Sequence, residues 1–274
     1  MNAPTPVGTV VCELGEGPVW DPATRSLLSV DLPAGRVLRD GRTVALTRAD
    51  VVTAVLPGRS GLLLVRRDRL ETVDGEVVAH LDLGRAERCN DAATDPWGRV
   101  WIGTMHRTEP GTGRLFCVDR GTVRTVLEGL SISNGLGWSP DGRTAYLNDT
   151  PTRTISAFDW SAETGLTERR PFVTLGDDVE GNPDGLCVDA EGGVWVALYG
   201  GSAVHRYSPE GSLEAVIELE PTQVTACTFG GAALDTLYVT TSRENLSDDE
   251  QPLAGSLFAC QPGVQGLPAL TYAG

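Results

Sequence analysis

A short unit, a tight turn followed by an apolar strand, occurs six times along this chain of 274 residues. Asp, Pro and Gly cluster in the turns, where proline fixes φ and glycine accepts a positive φ, and a run rich in Val, Leu, Trp and Tyr follows. A unit that recurs in this way buries its apolar face against its neighbours. The six copies read WDPATRSLLSVD, LPGRSGLLLVRR, TDPWGRVWIGTM, WSPDGRTAYLND, VDAEGGVWVALY and TFGGAALDTLYVTT.

The spacing of the copies indicates the architecture. Further short strands, such as GRLFCVD, TISAFDW and AVHRYSPEG, lie between them, so that each period of about 35 to 50 residues holds roughly four strands. No segment shows the helical periodicity that a βαβ crossover needs. These features predict an all-β fold, a six-bladed β-propeller, with residues 1–274 as a single domain. We expect residues 7–13 to add a strand to the blade that contains residues 255–260, which closes the ring without an exposed edge.

Composition excludes several classes of function. The 37 acidic and 22 basic residues give a formal net charge of -15, which disfavours nucleic acid as a partner. All of the basic residues are arginine, so Schiff-base lysine catalysis and the P-loop are excluded. There is no long apolar run and no basic, apolar leader, so neither a membrane partner nor secretion is expected. The six cysteines lack CxxC spacing, which predicts free thiols and a cytoplasmic location. The oligomeric state is left open.

Three residues with side-chain oxygens each stand directly before a glycine and just ahead of an apolar strand. They are Glu16 in LGEGPVW, Asn134 in ISNGLGW and Asp184 in NPDGLCV. Each alone is an ordinary turn residue. On three blades of a propeller, however, they would converge at one mouth of the central channel, where such ligands suit calcium, magnesium, manganese or zinc. The three histidines are far apart in sequence, which disfavours a multi-histidine zinc site.

A fourth blade contributes the motif RCND, with Arg88, Asn90 and Asp91. Arg88 and Asn90 are two positions apart, so their side chains face the same way in an extended strand, whereas Cys89 faces the other way.

Several long motifs occur in an order that resembles a known family. They are GEGPVWD, RCNDAATDPWGRVWIGTM, ISNGLGWSPDGRTAYLNDT, NPDGLCVDAEGGVWVALYGG, CTFGGAALDTLYVTTSRE and QPLAGSLFA. In this order they resemble the signatures of the senescence marker protein, regucalcin and gluconolactonase family, over most of the chain. The resemblance implies a six-bladed propeller that binds one divalent metal ion, and many members of the family hydrolyse sugar lactones.

The resemblance also implies roles for individual residues. It places the metal ligands at Glu16, Asn134 and Asp184, with Asp184 in addition as the catalytic group that accepts a proton from water. It places the substrate contacts at Arg88 and Asn90.

One departure from the family pattern concerns the substrate. Regucalcin-like members have a substrate-contacting glutamate three positions after the methionine of GTM, but Thr108 stands there in this chain, with Glu109 beside it. The choice of sugar therefore does not carry over. For His106 an exposed loop position is expected, and for Tyr199 ordinary packing within a blade. Contact with the substrate is the alternative for both residues.

The leading hypothesis is a divalent-metal-dependent hydrolase that opens a sugar lactone to the sugar acid. The substrate class would be an aldonolactone, such as gluconolactone or a pentonolactone. One alternative uses the same metal on an aryl ester or a phosphotriester, and another is a non-catalytic calcium-binding propeller. Arg88 and Asn90 favour the enzyme hypotheses, because a structural ion needs no such pair.

Overall fold

Six four-stranded antiparallel sheets form a closed ring around a central channel. The computed structural model describes residues 2–46, 50–247 and 249–274. The innermost strand of each sheet packs against the innermost strands of the two neighbouring sheets, and the sixth sheet packs against the first. The predicted all-β, six-bladed propeller is confirmed.

In five blades the strands run outward from the channel in chain order. The first blade has β2 (Gly15–Asp21), β3 (Ser26–Asp31), β4 (Arg36–Arg39) and β5 (Arg42–Leu46). The second has β6 (Val52–Gly58), β7 (Gly61–Arg66), β8 (Arg69–Thr72) and β9 (Val77–His80). The third has β10 (Glu87–Thr94), β11 (Val100–His106), β12 (Gly113–Asp119) and β13 (Thr122–Leu130). The fourth has β14 (Ser133–Trp138), β15 (Thr144–Asp149), β16 (Thr154–Ser161) and β17 (Gly165–Thr174). The fifth has β18 (Asn182–Val188), β19 (Val194–Tyr199), β20 (Ala203–Tyr207) and β21 (Leu213–Glu218).

The sixth blade closes the ring with strands from both ends of the chain. It contains β22 (Val224–Gly230), β23 (Thr236–Thr241), β24 (Leu257–Cys260) and, outermost, β1 (Thr5–Val7). An N-terminal strand was expected here, but at residues 7–13, and the pairing strand ends at Val7, opposite Leu257. Gly8 has a φ of +76°, which turns the chain out of the strand.

The described residues contain one helical segment, a 3-10 turn at Thr150–Thr152. Among them there is no helix of the length and apolar character needed to cross a membrane.

The repeated turns are held by buried aspartates. Asp95 accepts hydrogen bonds from the backbone N–H of Arg99 (3.0 Å) and from the indole N–H of Trp101 (2.9 Å). Asp189 accepts the equivalent indole hydrogen bond from Trp195 (2.9 Å). The aspartate of the repeat therefore closes the turn and also fixes the tryptophan six positions later, which is fully buried between blades.

Apolar side chains fill the space between neighbouring blades. Leu70, Val100 and Ile102 are almost fully buried between the second and third blades, and burial of each such side chain contributes about 2 kcal/mol. The sixth blade joins the first through a hydrogen bond from the Thr225 hydroxyl to the Gly15 carbonyl (2.6 Å). This closure fixes where the innermost strands start, and therefore where their first side chains meet.

The C-terminal tail covers one end of the channel. The Gly266 N–H donates to the Leu234 carbonyl (2.7 Å) in a turn of the sixth blade, and the Ala273 N–H donates to the Gly98 carbonyl (2.9 Å) in a turn of the third blade, on the opposite side of the ring. Between these anchors residues 267–270 line a mainly apolar cavity of about 460 Å³ inside the channel. The tail thus forms the floor of the channel and leaves the opposite end as its mouth.

Candidate functional site

The three predicted metal ligands lie at the mouth of the channel on three different blades. Glu16 is the second residue of β2, Asn134 the second of β14 and Asp184 the third of β18. Asn134 and Asp184 are buried, whereas Glu16 is half-buried. The structure therefore brings all three to the inner wall of one opening, as the repeat pattern predicts.

Each of these residues stands at an irregularity of its strand. The pairing of β2, β14 and β18 with the second strand of the blade shifts register at the site residue, and such a bulge redirects a side chain. The alternative that these residues are turn elements is wrong, since all three lie within strands. The glycines that follow two of them allow neighbouring innermost strands to approach. A Cβ at Gly135 would lie 2.4 Å from the backbone N of Leu186, and one at Gly185 would lie 2.4 Å from the Cβ of Ala226.

Three carboxyl groups at this opening are close enough for their charges to affect one another's pKa. Burial raises the pKa of Glu16 to about 8, and the charge of Asp91 adds to the rise. Burial raises the pKa of Asp91 to about 6. The pKa of Asp184 lies well above its ordinary value because of burial first, and then because of the charges of Glu16 and Asp91. A cation placed among these groups would restore their ionised forms, because opposite charge favours the charged state.

The donor set fits a hard divalent cation. The Asp184 Oδ1 atom is buried and has no hydrogen-bond partner among the described residues, and the Asn134 amide is oriented by a hydrogen bond from its Nδ2 to the Thr150 hydroxyl (3.0 Å). No group of three or more His, Cys, Asp or Glu in the described part of the chain could hold a metal ion by itself. The predicted set differs from such a group because one of its three oxygen donors, on Asn134, is an amide. Two carboxylates and an amide are ligands that calcium accepts readily.

Arg88 and Asn90 lie beside this set on β10 and face the same way. The Arg88 guanidinium donates to Asn90 Oδ1 (2.8 Å), and Asn90 Nδ2 donates to the Ser133 carbonyl next to Asn134 (3.1 Å). Cys89, between them, is fully buried between blades, as the alternation predicts. Burial lowers the pKa of Arg88, and the charge of Glu16 opposes this effect. The pair therefore borders the carboxyl groups and offers hydrogen-bond donors to a bound molecule.

The residues that follow GTM fold away from this set. The His106 ring accepts hydrogen bonds at Nδ1 from the backbone N–H groups of Thr108 (3.3 Å) and Glu109 (2.9 Å). Thr108 and Glu109 are exposed, and His106 is half-exposed and caps its own loop. Tyr199 instead lies at the mouth. Burial raises its pKa to about 12, helped by the charges of Glu244 and Asp184.

Two polar residues of the site had no role in the sequence analysis. Asp91 is next to Asn90 in RCND, and its carboxyl group lies between the predicted ligands and the apolar cavity. Asn148, in the sequence YLNDT, is fully buried and donates from Nδ2 to the Asp184 backbone carbonyl (2.6 Å). The sequence did contain a signal for Asp91, because its carboxylate directly follows the polar Asn90 in a strand whose side chains otherwise alternate between polar and apolar. Asn148 stands at an ordinary strand position, and only the packing of two blades shows its contact.

Comparison with known proteins supports a family assignment. The family model described as SMP-30/gluconolactonase/LRE-like region matches residues 14–243. The pentonolactonase XacC of Haloferax volcanii is 35% identical over 94% of this chain and 94% of its own length. The regucalcin of Oryctolagus cuniculus is 35% identical over 96% of each chain.

A solved structure agrees with these relatives. The crystal structure of a calcium-binding protein, regucalcin, from Agrobacterium tumefaciens superimposes with a TM-score of 0.88 and 31% identity, over 96% of this chain and 95% of that one. Both the sequence motifs and the order of the blades are thus those of one known group of propellers. The chain belongs to the SMP-30/gluconolactonase/LRE-like family.

Proposed function

We propose that this protein is a divalent-metal-dependent lactonase that opens a sugar lactone to the corresponding sugar acid. The observation that carries the proposal is the buried Asp184 carboxyl, which has an unpartnered Oδ1 and meets Glu16 and the Arg88–Asn90 pair at the same opening. Carboxyl groups that burial and like charge both perturb, beside hydrogen-bond donors in an open channel, are typical of a functional site.

Glu16, Asn134 and Asp184 would hold the metal ion. Calcium, zinc, manganese and magnesium all accept this donor set. When bound, a divalent ion supplies positive charge that polarises an ester carbonyl and acidifies water.

Asp184 would act as the general base. As water adds to the carbonyl carbon of the lactone, the Asp184 carboxylate accepts a proton from it at Oδ1. The bond between the carbonyl carbon and the ring oxygen then breaks, and the protonated Asp184 carboxyl group returns its proton to the ring oxygen, which becomes a hydroxyl group. The hydrogen bond from Asn148 to the Asp184 backbone would hold this carboxylate in place during the reaction.

Arg88 and Asn90 would orient the substrate. Each has further donors that can bind ring hydroxyl groups or the carbonyl oxygen of the lactone. The mutual hydrogen bond between the two side chains fixes the Arg88 guanidinium against the wall of the channel before the substrate arrives. The substrate is neutral, so the net charge of -15 does not oppose its binding.

The relatives support this proposal at the level of the family. One relative carries the name pentonolactonase, and the solved structure carries the description calcium-binding protein. They favour a sugar lactone as substrate and calcium as the first ion to test.

The proposal is tested by stripping the purified protein with chelator and reloading it with calcium, zinc, manganese or magnesium. Acid release is then followed on gluconolactone, on pentonolactones, on an unsubstituted lactone and on an aryl ester. We expect kcat/KM for the best aldonolactone to exceed that for the unsubstituted lactone or the ester by roughly a hundredfold, the effect of two orienting hydrogen bonds.

The outcomes separate the rival functions. Higher kcat/KM on aryl esters or phosphotriesters than on every sugar lactone contradicts the lactonase proposal and favours the other ester class. Absence of turnover with all four ions, together with metal binding, favours a non-catalytic calcium-binding propeller.

A further inference from the structure

One wall of the mouth is built by the fifth and sixth blades and lies opposite Arg88. Ser242, just after β23, pairs with Leu14, two residues before Glu16. The backbone N–H of Glu244 donates to the Ser242 hydroxyl (3.0 Å), and the Gln223 amide donates to the Glu244 carbonyl (3.1 Å). These contacts anchor the backbone of Glu244 beside the strand that carries a predicted metal ligand.

Tyr199 continues this wall on the neighbouring blade. It pairs with Asn182, two residues before Asp184, and its backbone bridges to Gln223. Tyr199 therefore lies beside the strand of Asp184, and through Gln223 it adjoins the sixth blade, where the Gln223 amide also holds Glu244.

The Glu244 carboxylate acts on groups at both sides of the opening. Burial raises the pKa of Tyr199 and the charge of Glu244 adds to that rise, while burial lowers the pKa of Arg88, on the third blade, and the charge of Glu244 opposes that fall. The path of the chain gives its position: the half-buried Glu244 lies two residues after Ser242, which pairs with Leu14 at the start of β2, so this residue belongs to the mouth end of the channel.

This carboxylate has no internal partner that would explain its position. Within the described part of the chain the Glu244 side chain makes neither a hydrogen bond nor an ion pair, although its backbone is held at both the N–H and the carbonyl. The loop after β11 offers no equivalent group, since Thr108 and Glu109 are exposed and folded onto His106.

We infer that Glu244 and Tyr199 form a hydroxyl-recognition wall, which binds the ring hydroxyl groups of a polyhydroxylated lactone while Arg88 and Asn90 bind it from the other side. This inference deepens the proposed function and rests on it. A carboxylate accepts hydrogen bonds from two hydroxyl groups, and the Tyr199 oxygen accepts a third. A lactone without hydroxyl groups would leave the half-buried carboxylate without partners, and a site of that kind discriminates strongly against such an analogue.

The test compares Glu244→Gln and Tyr199→Phe with the parent protein on two metal-loaded reactions, hydrolysis of an aldonolactone and of an unsubstituted lactone. For Glu244→Gln we expect kcat/KM on the aldonolactone to fall at least about tenfold, the scale of one charge-assisted hydrogen bond. For Tyr199→Phe we expect a fall of about threefold to tenfold, the scale of one neutral hydrogen bond. Hydrolysis of the unsubstituted lactone should not fall in either variant, because that lactone has no hydroxyl groups for the wall to bind, and the metal content should match that of the parent.

Two control variants carry the same chemical change elsewhere. Glu250→Gln alters an exposed glutamate of the same loop, and Glu109→Gln alters the exposed glutamate after GTM. Both should match the parent on both lactones. A selective loss in Glu109→Gln with none in Glu244→Gln would place the wall on the third blade and overturn the inference. Equal loss on both lactones, or loss of metal, in Glu244→Gln and Tyr199→Phe would also overturn it.

A binding measurement separates failure of the wall from failure of the lactonase proposal. Sorbitol carries hydroxyl groups and no ester, and its binding to the metal-loaded proteins can be followed by calorimetry. If the parent hydrolyses no lactone but binds sorbitol more tightly than Glu244→Gln does, the wall stands and the lactonase proposal fails. If the parent hydrolyses sugar lactones and Glu244→Gln is unaffected in both measurements, the proposed function stands and the wall is wrong. Absence of both sorbitol binding and lactone turnover in the parent overturns both.

Discussion

Replacing Asp184 by asparagine should stabilise the metal-free protein and remove most of the stabilisation that a bound metal ion gives. The variant should therefore melt above the parent without metal and below it with metal. Asp184 is buried, one of its oxygens is unpartnered, and the charges of Glu16 and Asp91 disfavour its ionised form. An acid whose pKa is higher in the folded state than in the unfolded state destabilises the fold at pH values above its unfolded pKa. At neutral pH and without metal, the parent loses folding free energy because the buried Asp184 carboxyl group is held beside other carboxyl groups. An uncharged asparagine of the same shape removes that loss.

The size of the effect follows from the chain length and from the pKa shift. One unit of pKa corresponds to about 1.4 kcal/mol, and unfolding a chain of 274 residues releases entropy worth about 0.6 kcal/mol per kelvin. We therefore expect the metal-free Asp184→Asn protein to melt above the metal-free parent, by about 2 °C for each unit by which burial and neighbouring charge raise the pKa of Asp184. The parent should gain about 2.7 kcal/mol, or roughly 5 °C, from metal at a hundredfold excess over its Kd, whereas the variant should gain little.

The assay is scanning calorimetry of both proteins with chelator and with saturating calcium, at one scan rate and pH 7. Asp74→Asn serves as control, because this aspartate is exposed in the β8–β9 turn, away from the mouth, and asparagine suits the same turn. It should follow the parent under both conditions. An equal metal-induced shift in Asp184→Asn and the parent would show that the ion binds elsewhere. A metal-free variant that melts below the metal-free parent would refute the argument from crowded carboxyl groups.

Three further outcomes are expected. Arg88→Ala should keep its metal, measured by elemental analysis, but lose at least about tenfold in kcat/KM on the aldonolactone. The reason is the proposed role of the guanidinium in orienting the substrate. Loss of metal together with activity would contradict this role. Asp189→Ala should destabilise the fold by about 2–4 kcal/mol in denaturant unfolding, because it leaves the indole N–H of Trp195 and the backbone N–H of Gly193, 2.7 Å from the carboxylate, without an acceptor; a change below about 1 kcal/mol would show that the turn does not depend on it. The melting temperature should not respond to reductant, because all six cysteines are free thiols. Even in the nearest pair, Cys187 and Cys227, the sulfur atoms are 3.7 Å apart. A fall in the melting temperature on reduction would reveal a disulfide.

The repeated turn-and-strand unit was sufficient to predict the architecture. Six similar turns followed by apolar strands require a repeated sheet, because each strand pair must bury its apolar face against the next copy. The same repeat also located Glu16, Asn134 and Asp184, since equivalent positions of a ring of blades lie at equivalent heights along the axis. That residues 1–274 fold as one domain in the cytoplasm stays a prediction.

How these residues act on one another depends on contacts between blades. The glycines after Asn134 and Asp184 suggested turns, but they serve the close approach of innermost strands from neighbouring blades. The hydrogen bond from Asn148 to Asp184 joins the fourth and fifth blades, and the pairing of Leu14 with Ser242 joins the first and sixth blades, which lie at opposite ends of the chain. Local patterns determine strands and turns, because those depend on neighbouring residues. The electrostatics of the mouth depend on which blades the closed ring places side by side, and no local pattern contains that information.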